Sequence, residues 1–368
     1  MRYLLLNKDK PLLLFSCSLD ELGYTEAAEI KWYTDVRPYG YEDLASFLEG
    51  RKAPKHRKHI EKLLTQYGCD ELEGFLRVTH ALSLNDTFWV KEEGSSLNWP
   101  EVSLFQNPFN ELISMAAFDG ILSDTDFSST SPEFGTDGYY AKCWVRDGEA
   151  IRLLKAGSET HMLEPLSEFF ASQVASVLCP NSVRYDLQWY HEQLVSSCNL
   201  FTSEKVGLAK AATLGLRGSM NAKEIVEAFE RFGGEDTIRR MYVLDAVILN
   251  TDRHLGNFGA LYDTETLTLL GAAPLFDNNR SLMFSIDTEA LLERHEWYVR
   301  HSKPRFGTNY IAAARGVMTD EIRNDLRNMR GFSLAQHKTI RAEQARLDIL
   351  NRIINNQIDL ILGIGTEV

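Results

Sequence analysis

The segment Asn250-Thr251-Asp252-Arg253-His254-Leu255-Gly256-Asn257 constrains this 368-residue chain more than any other. Ahead of it, Thr237–Leu249 places Ile238, Met241, Leu244 and Ile248 on one face, the period of an amphipathic helix. Behind it, Phe258–Tyr262 and Leu267–Leu270 read as two strands around the turn-forming Asp263-Thr264-Glu265-Thr266. The hairpin returns the chain to Pro274-Leu275-Phe276-Asp277-Asn278-Asn279. Helix, polar loop, hairpin and second acidic residue, in that order, let a loop and a strand end face one cleft.

Phosphoryl transfer from ATP has matching needs. One carboxylate must orient the acceptor hydroxyl, and oxygen ligands must hold Mg²⁺ against the phosphates. An Asp followed five residues later by an Asn presents both groups from one loop, and a second Asp beyond the hairpin closes the metal site. Asp252 is therefore the expected catalytic carboxylate, with Asn257 and Asp277 as metal ligands. Taken alone, D-x-x-x-x-N is equally an ordinary turn, because Asp and Asn are loop formers. Thr-Asp-Arg-His alone equally reads as a helix cap with a surface ion pair.

The upstream order separates these readings. Asp124–Asp137 is dense in Ser, Thr, Asp and Gly, as a plain linker or a loop over a ligand would be. Tyr139–Val145 reads as a strand containing Lys142, Arg146-Asp147-Gly148-Glu149 as its turn, and Ala150–Leu154 as the returning strand that delivers Lys155. Pro165–Leu178 is helical in period, with Glu168 one turn in. Val183–Gln188 and Gln193–Ser196 predict two more strands, ending in the hinge-like Ser197-Cys198-Asn199. Ile340–Leu362 predicts a long amphipathic helix that packs on the core.

The first 124 residues read differently. Tyr3–Leu6 and Leu12–Phe15 predict a hairpin. Arg51, Lys52, Lys55, Arg57 and Lys58 precede a helix near His59–Gln66; the run reads as a solvated helix approach, with contact to an acidic partner or nucleic acid as the alternative.

Composition bounds the function. A formal net charge of −13 argues against strong autonomous nucleic-acid binding, which depends on Lys and Arg neutralising phosphates. The five cysteines (Cys17, Cys69, Cys143, Cys179 and Cys198) form no C-x-x-C pair and read as reduced thiols in a cytoplasmic compartment, with Cys143, Cys179 and Cys198 as small buried hydrophobes. The first ten residues become charged too early for a signal peptide, and no run approaches the roughly 18 apolar residues a membrane span requires.

At these residues the sequence resembles HipA-like serine/threonine kinases, distant relatives of the phosphatidylinositol 3- and 4-kinases that share a D-R-H-x-x-N motif. The likeness spans about residues 125–362 and is carried by NTDRHLGN, PLFDNN and the segment Gly138-Tyr139-Tyr140-Ala141-Lys142. It implies an α+β, bilobal protein-kinase-like fold. Residues 1–124 would be an N-terminal extension of unknown role, 125–199 a β-rich N-lobe with phosphate loop and hinge, and 200–368 a mainly helical C-lobe.

It also implies roles. Lys155 would contact the ATP phosphates and pair with Glu168, its alternative being an edge-strand lysine in water. Gly138 and Lys142 would belong to the phosphate loop, although Lys142 reads equally well as a solvent-facing strand lysine. Ser197, Cys198 and Asn199 would border adenine through their backbone. Arg253 and His254 would brace the catalytic loop. Within Ser128, Ser129, Thr130 and Ser131, the resemblance implies autophosphorylation that silences the enzyme. The expected cofactors are ATP and Mg²⁺. The expected partners are a protein bearing a Ser/Thr acceptor and an antitoxin or DNA-binding protein, as in toxin–antitoxin pairs. Two rival readings stay open, a lipid or small-molecule kinase and a non-catalytic nucleotide-binding regulator.

Overall fold

The computed structural model describes residues 1–19, 25–54, 59–69, 71–120, 131–136, 140–158 and 163–364. Strands and helices mix in an α+β arrangement whose paired strands run antiparallel. The chain divides into two compact units, and it crosses between them several times. The first comprises Met1–Lys155, Leu200–Ala209 and Leu261–Thr268; the second comprises Ala156–Asn199, Lys210–Ala260 and Leu269–Val368.

The first unit opens on β1 (Arg2–Asn7), β2 (Lys10–Leu19) and β3 (Thr25–Trp32). With β4 (Phe88–Glu92) they form a sheet in the order β3-β2-β1-β4. The expected opening hairpin is there, and its register sets Tyr3 opposite Phe15, rings stacked at 5.6 Å. Helices α1 (Leu44–Glu49), α2 (Ile60–Gln66), α3 (Leu72–Thr79), α4 (Trp99–Val102) and α5 (Glu111–Asp119) complete this part. Arg51 corrects the reading of its basic run as solvated. It is buried, bonded to both carboxylate oxygens of Asp86 at 2.9 Å and to the carbonyls of Ala81 and Phe88. A cation without such partners would not stay buried. Lys55, Arg57 and Lys58 lie outside the described residues.

Next come β5 (Lys142–Asp147) and β6 (Ala150–Ala156), turning at Asp147-Gly148 as expected. Gly148 sits at φ +60°, where a Cβ is strained.

The second unit carries α6 (Leu163–Leu178), the hairpin β7 (Asp186–Tyr190) and β8 (Gln193–Asn199), α7 (Ala222–Glu230) and α8 (Glu235–Ile248). Strand β9 (Val206–Lys210) lies between β8 and α7 in the chain. Strands β10 (Gly259–Asp263) and β11 (Leu269–Ala272) form the hairpin after the polar loop. Helices α9 (Thr288–His301), α10 (Tyr310–Val317), α11 (Asp320–Asn328) and α12 (Gln344–Leu362) close the chain.

Helix α8 departs from the amphipathic expectation. Every residue from Met241 to Ile248 is buried, because α6, α7, α10 and α12 all pack around it. From Met241 on the helix is the axis of a core and has no solvent face, while its first turns keep one at Asp236.

Candidate functional site

Helix α8 ends at Leu249, which takes a left-handed φ of +52° and turns the chain out into the 250–257 loop. Such a residue without glycine's freedom costs about 1–3 kcal/mol, so the surroundings must hold it. The anchoring starts inside the helix. Asp245 is buried, and its carboxylate accepts from Arg253 Nε (3.0 Å) and Nη2 (2.9 Å) and from Asn250 Nδ2 (3.1 Å). Arg253 is 3 % exposed and has donors to spare. Its Nη1 donates to the carbonyls of Asn257 (3.1 Å) and Phe276 (2.9 Å), and its Nη2 also to Asn278 Oδ1 (2.6 Å). One guanidinium thus ties the helix, the polar loop and the 276–278 segment together. Burial alone would lower its pKa; the Asp245 and Asp277 carboxylates outweigh that and raise it.

Within the loop, Asn257 closes a ring of hydrogen bonds. Its Nδ2 donates to the Asp252 carbonyl (2.8 Å), and its Oδ1 accepts from the His254 amide (2.9 Å). His254 in turn accepts from the Gly256 amide through Nδ1. The bracing expected of Arg253 and His254 is present. Burial lowers the His254 pKa, against the pull of Asp252 and Asp277, so the imidazole is neutral at pH 7.

The second acidic residue is held as firmly. Leu275 exchanges backbone bonds with Asn181 and Val183, and Asp277 adopts φ +61°, a region Asp tolerates better than most residues. The Asp277 amide donates to Tyr185 Oη (3.2 Å). Tyr185 is buried, and desolvation together with the charges of Glu168, Cys198 and Asp277 puts its pKa far above 10.

Glu168 is fully buried on α6, where its Oε2 accepts from Ser196 Oγ on β8 (2.7 Å). Ser167, its neighbour, donates to the Ser281 carbonyl (2.8 Å), fixing α6 against the segment after Asp277. Ser197, Cys198 and Asn199 are the last residues of β8. In the second unit, therefore, Glu168, the end of β8, Asp252, Asn257 and Asp277 share one hydrogen-bonded frame.

In the first unit, Lys142 on β5 and Lys155 on β6 are direct cross-strand partners, 8 % and 6 % exposed. Neither is the solvent-facing strand lysine that was the alternative. Gly138, Ser128, Ser129 and Thr130 lie outside the described residues, while Ser131 is buried.

No protein-family model and no curated protein matches this sequence. Solved structures do. A Shewanella oneidensis MR-1 HipA, from a toxin–antitoxin complex with HipB and operator DNA, matches at TM-score 0.54 and 12 % identity over 98 % of this chain and 97 % of its own. The chain has the fold of HipA. A Helicobacter pylori proinflammatory kinase, CtkA, matches at TM-score 0.48 and 16 % identity over 64 % of this chain and 93 % of its own. The HipA likeness covers nearly the whole chain, so the shared fold takes in residues 1–124 as well.

Sequence reasoning missed four residues here. Asp245 had a signal, a lone carboxylate inside the apolar run Met241–Leu249, eight residues before an Arg. Tyr185 had none. The others are Arg280 and Arg305, which both reach Asp252. Arg305 Nη1 lies 2.5 Å from Oδ1 and Arg280 Nη1 lies 3.6 Å from Oδ2.

As donors for a metal, Asp277 offers a carboxylate and Asn257 an amide oxygen with one lone pair already engaged by His254. An all-oxygen pair of this kind suits a hard divalent cation such as Mg²⁺. Among the described residues, no group of three or more His, Cys, Asp or Glu is placed to hold a metal ion. No described helix is long and apolar enough to cross a membrane. A cavity of about 470 Å³ is lined by Leu249, Glu296, Arg300, Lys303, Tyr310 and Gln357 among others, and Tyr310 Oη donates to the Asn250 carbonyl (2.9 Å).

Proposed function

We propose that this protein is an ATP-dependent kinase that transfers the γ-phosphoryl group to a Ser or Thr hydroxyl on a protein. The observation that carries the proposal is the Arg253 junction. A single buried cation fixes the loop bearing Asp252 and Asn257 to the segment bearing Asp277, which is the rigidity a positioning catalyst needs.

In this reading Asp252 accepts a hydrogen bond from the acceptor hydroxyl. The new P–O bond forms at that oxygen as the bond to the β-phosphate oxygen breaks, releasing ADP, and the hydroxyl proton passes to Asp252. Asn257 and Asp277 hold the cation, which when bound supplies neutralising charge at the phosphates. Neutral His254 keeps the loop folded and leaves the proton to Asp252. Lys142 and Lys155 keep the phosphate-binding role expected from the sequence, as Glu168 and Ser197–Asn199 keep theirs toward the nucleotide. Autophosphorylation in the 128–131 segment belongs to the same proposal. The HipA neighbour was solved with HipB and operator DNA, which supports looking for a partner protein of antitoxin type.

Incubation with γ-labelled ATP and Mg²⁺ tests the reading. Label is expected on the chain itself or on an added protein, and intact mass should rise by one phosphate per site. Asp252→Ala and Asp277→Ala should lower transfer by about 10² to 10⁴-fold while remaining folded. A folded wild-type protein that labels neither itself nor any protein overturns the proposal, and label found only on lipid vesicles would favour a lipid kinase.

A further inference from the structure

The two arginines on Asp252 bear on which acceptor this site takes, an inference that rests on the kinase reading above. Each oxygen of the proposed hydroxyl-orienting carboxylate faces a guanidinium, Oδ1 with Arg305 and Oδ2 with Arg280. Each oxygen keeps a further lone pair, so an acceptor hydroxyl binds Asp252 in competition with these cations. Arg305 is the movable one: its side chain is 56 % exposed, it follows helix α9 in an irregular stretch, and its other donors make no hydrogen bond among the described residues. Arg280 is anchored by position, three residues after Asp277, where its carbonyl accepts from the Thr251 amide and hydroxyl.

A displaced arginine needs a new anion. The chain leading to Arg305 is mixed in charge: Glu293–Arg305 carries Arg294, Arg300, Lys303 and Arg305 beside Glu293 and Glu296, in a protein whose total charge is −13. That stretch has four cationic side chains against two carboxylates, a local excess of positive charge in a molecule that is negative as a whole.

We propose that Arg305, with Arg280, is a specificity device for an acidic peptide acceptor. A Ser or Thr flanked by Asp or Glu presents its hydroxyl to Asp252 and its carboxylate to Arg305. The arginine exchanges one carboxylate for another, so the site opens without leaving a cation unpaired. A neutral acceptor offers no such exchange, and a basic one is repelled. The bidentate, planar geometry of guanidinium suits a carboxylate partner, and Lys at 305 reproduces only its charge.

The test uses the full chain and three short peptides, identical except that the residues flanking the acceptor Ser are Asp/Glu, Asn/Gln or Lys/Arg. Wild type should prefer the acidic over the neutral peptide by about tenfold in kcat/KM, the factor of one charge-assisted hydrogen bond, and chiefly through KM. Arg305→Lys should keep part of that ratio, and Arg305→Glu should reverse it in favour of the basic peptide. Equal kcat/KM for acidic and neutral peptides, or an unchanged ratio in Arg305→Glu, overturns the inference and leaves the kinase reading standing. Binding of the acidic peptide with its Ser replaced by Ala, followed by calorimetry without nucleotide, reads recognition apart from chemistry. Binding weakened about tenfold by Arg305→Glu, in a protein that transfers no phosphate to any peptide, supports the acid-recognising site and removes the kinase reading. Label moving to phosphatidylinositol vesicles while no peptide is bound overturns the peptide class of acceptor.

Discussion

Replacing Asp245 by Asn strikes the junction on which the candidate site depends. The substitution keeps the side-chain shape but removes the charge opposite Arg253, and one of its two oxygens becomes a donor aimed at donors. Three hydrogen bonds at 2.9, 3.0 and 3.1 Å lose their charged acceptor. Breaking a buried ion pair from one side costs about 3–5 kcal/mol. Arg253 retains the Asn257 and Phe276 carbonyls and Asn278 Oδ1, which argues for the lower end, about 3 kcal/mol. Against a total stability of about 5–15 kcal/mol that is a large fraction. In a unit of this size class it lowers the melting temperature by about 6–12 °C. Differential scanning calorimetry reads the shift. A double-mutant cycle adds the specific control: Arg253→Met should be costly alone, and Asp245→Leu with Arg253→Met should cost less than the sum, by about 0.5–3 kcal/mol. A melting temperature within about 2 °C of wild type, or strictly additive costs, would refute the claim that this pair holds the loop.

Three smaller perturbations follow from the same frame. Tyr185→Phe removes the oxygen that accepts from the Asp277 amide; a loss of about 1–3 kcal/mol in urea unfolding and faster hydrogen exchange at Asp277 are expected, and unchanged exchange would contradict the contact. His254 has its pKa lowered in the folded state, chiefly by burial, so its contribution is present above the unfolded value near 6.5 and is lost as pH falls through the folded value. Stability measured from pH 7.5 downward should decline below about 6.5, and His254→Gln should flatten that decline; a slope unaffected by the variant would sink the assignment. All five cysteines are buried thiols, with Cys179 pushed up to about 12 and Cys17 to about 11 by desolvation. The native protein should therefore resist a thiol reagent at pH 8 and release five equivalents after denaturation, and a fast-reacting native thiol would contradict the burial.

Much of the fold was legible because its signals are local. The opening hairpin follows from two apolar runs around Asn7–Lys10, the β5–β6 hairpin from Asp147-Gly148, and the helix bearing Glu168 from its period. What stayed hidden is set by the environment of a residue. The apolar positions of α8 fit a one-faced helix, yet helices on several sides enclose it. Arg51 was read with its basic neighbours, although its partner Asp86 lies 35 residues away and no local pattern announces the pairing.

The candidate site divides along the same line. Asp252, Asn257 and Asp277 stood out in the sequence because the proposed chemistry would fix their types, and one loop plus one hairpin their spacing. The groups that hold them were not: Asp245 looks like an interruption of a hydrophobic run, and Tyr185 like one more aromatic. Both are buried polar groups, which persist only when their partners are in place, so the frame is specified by pairs distant in sequence. The charge total conceals the electrostatics in the same way. A chain of net charge −13 places Arg253 at the junction and Arg280 and Arg305 on the one carboxylate proposed to meet the acceptor. Each acts within a few ångströms, well inside the roughly 8 Å over which salt screens a charge, so the distant acidic surface has little say in what the site attracts.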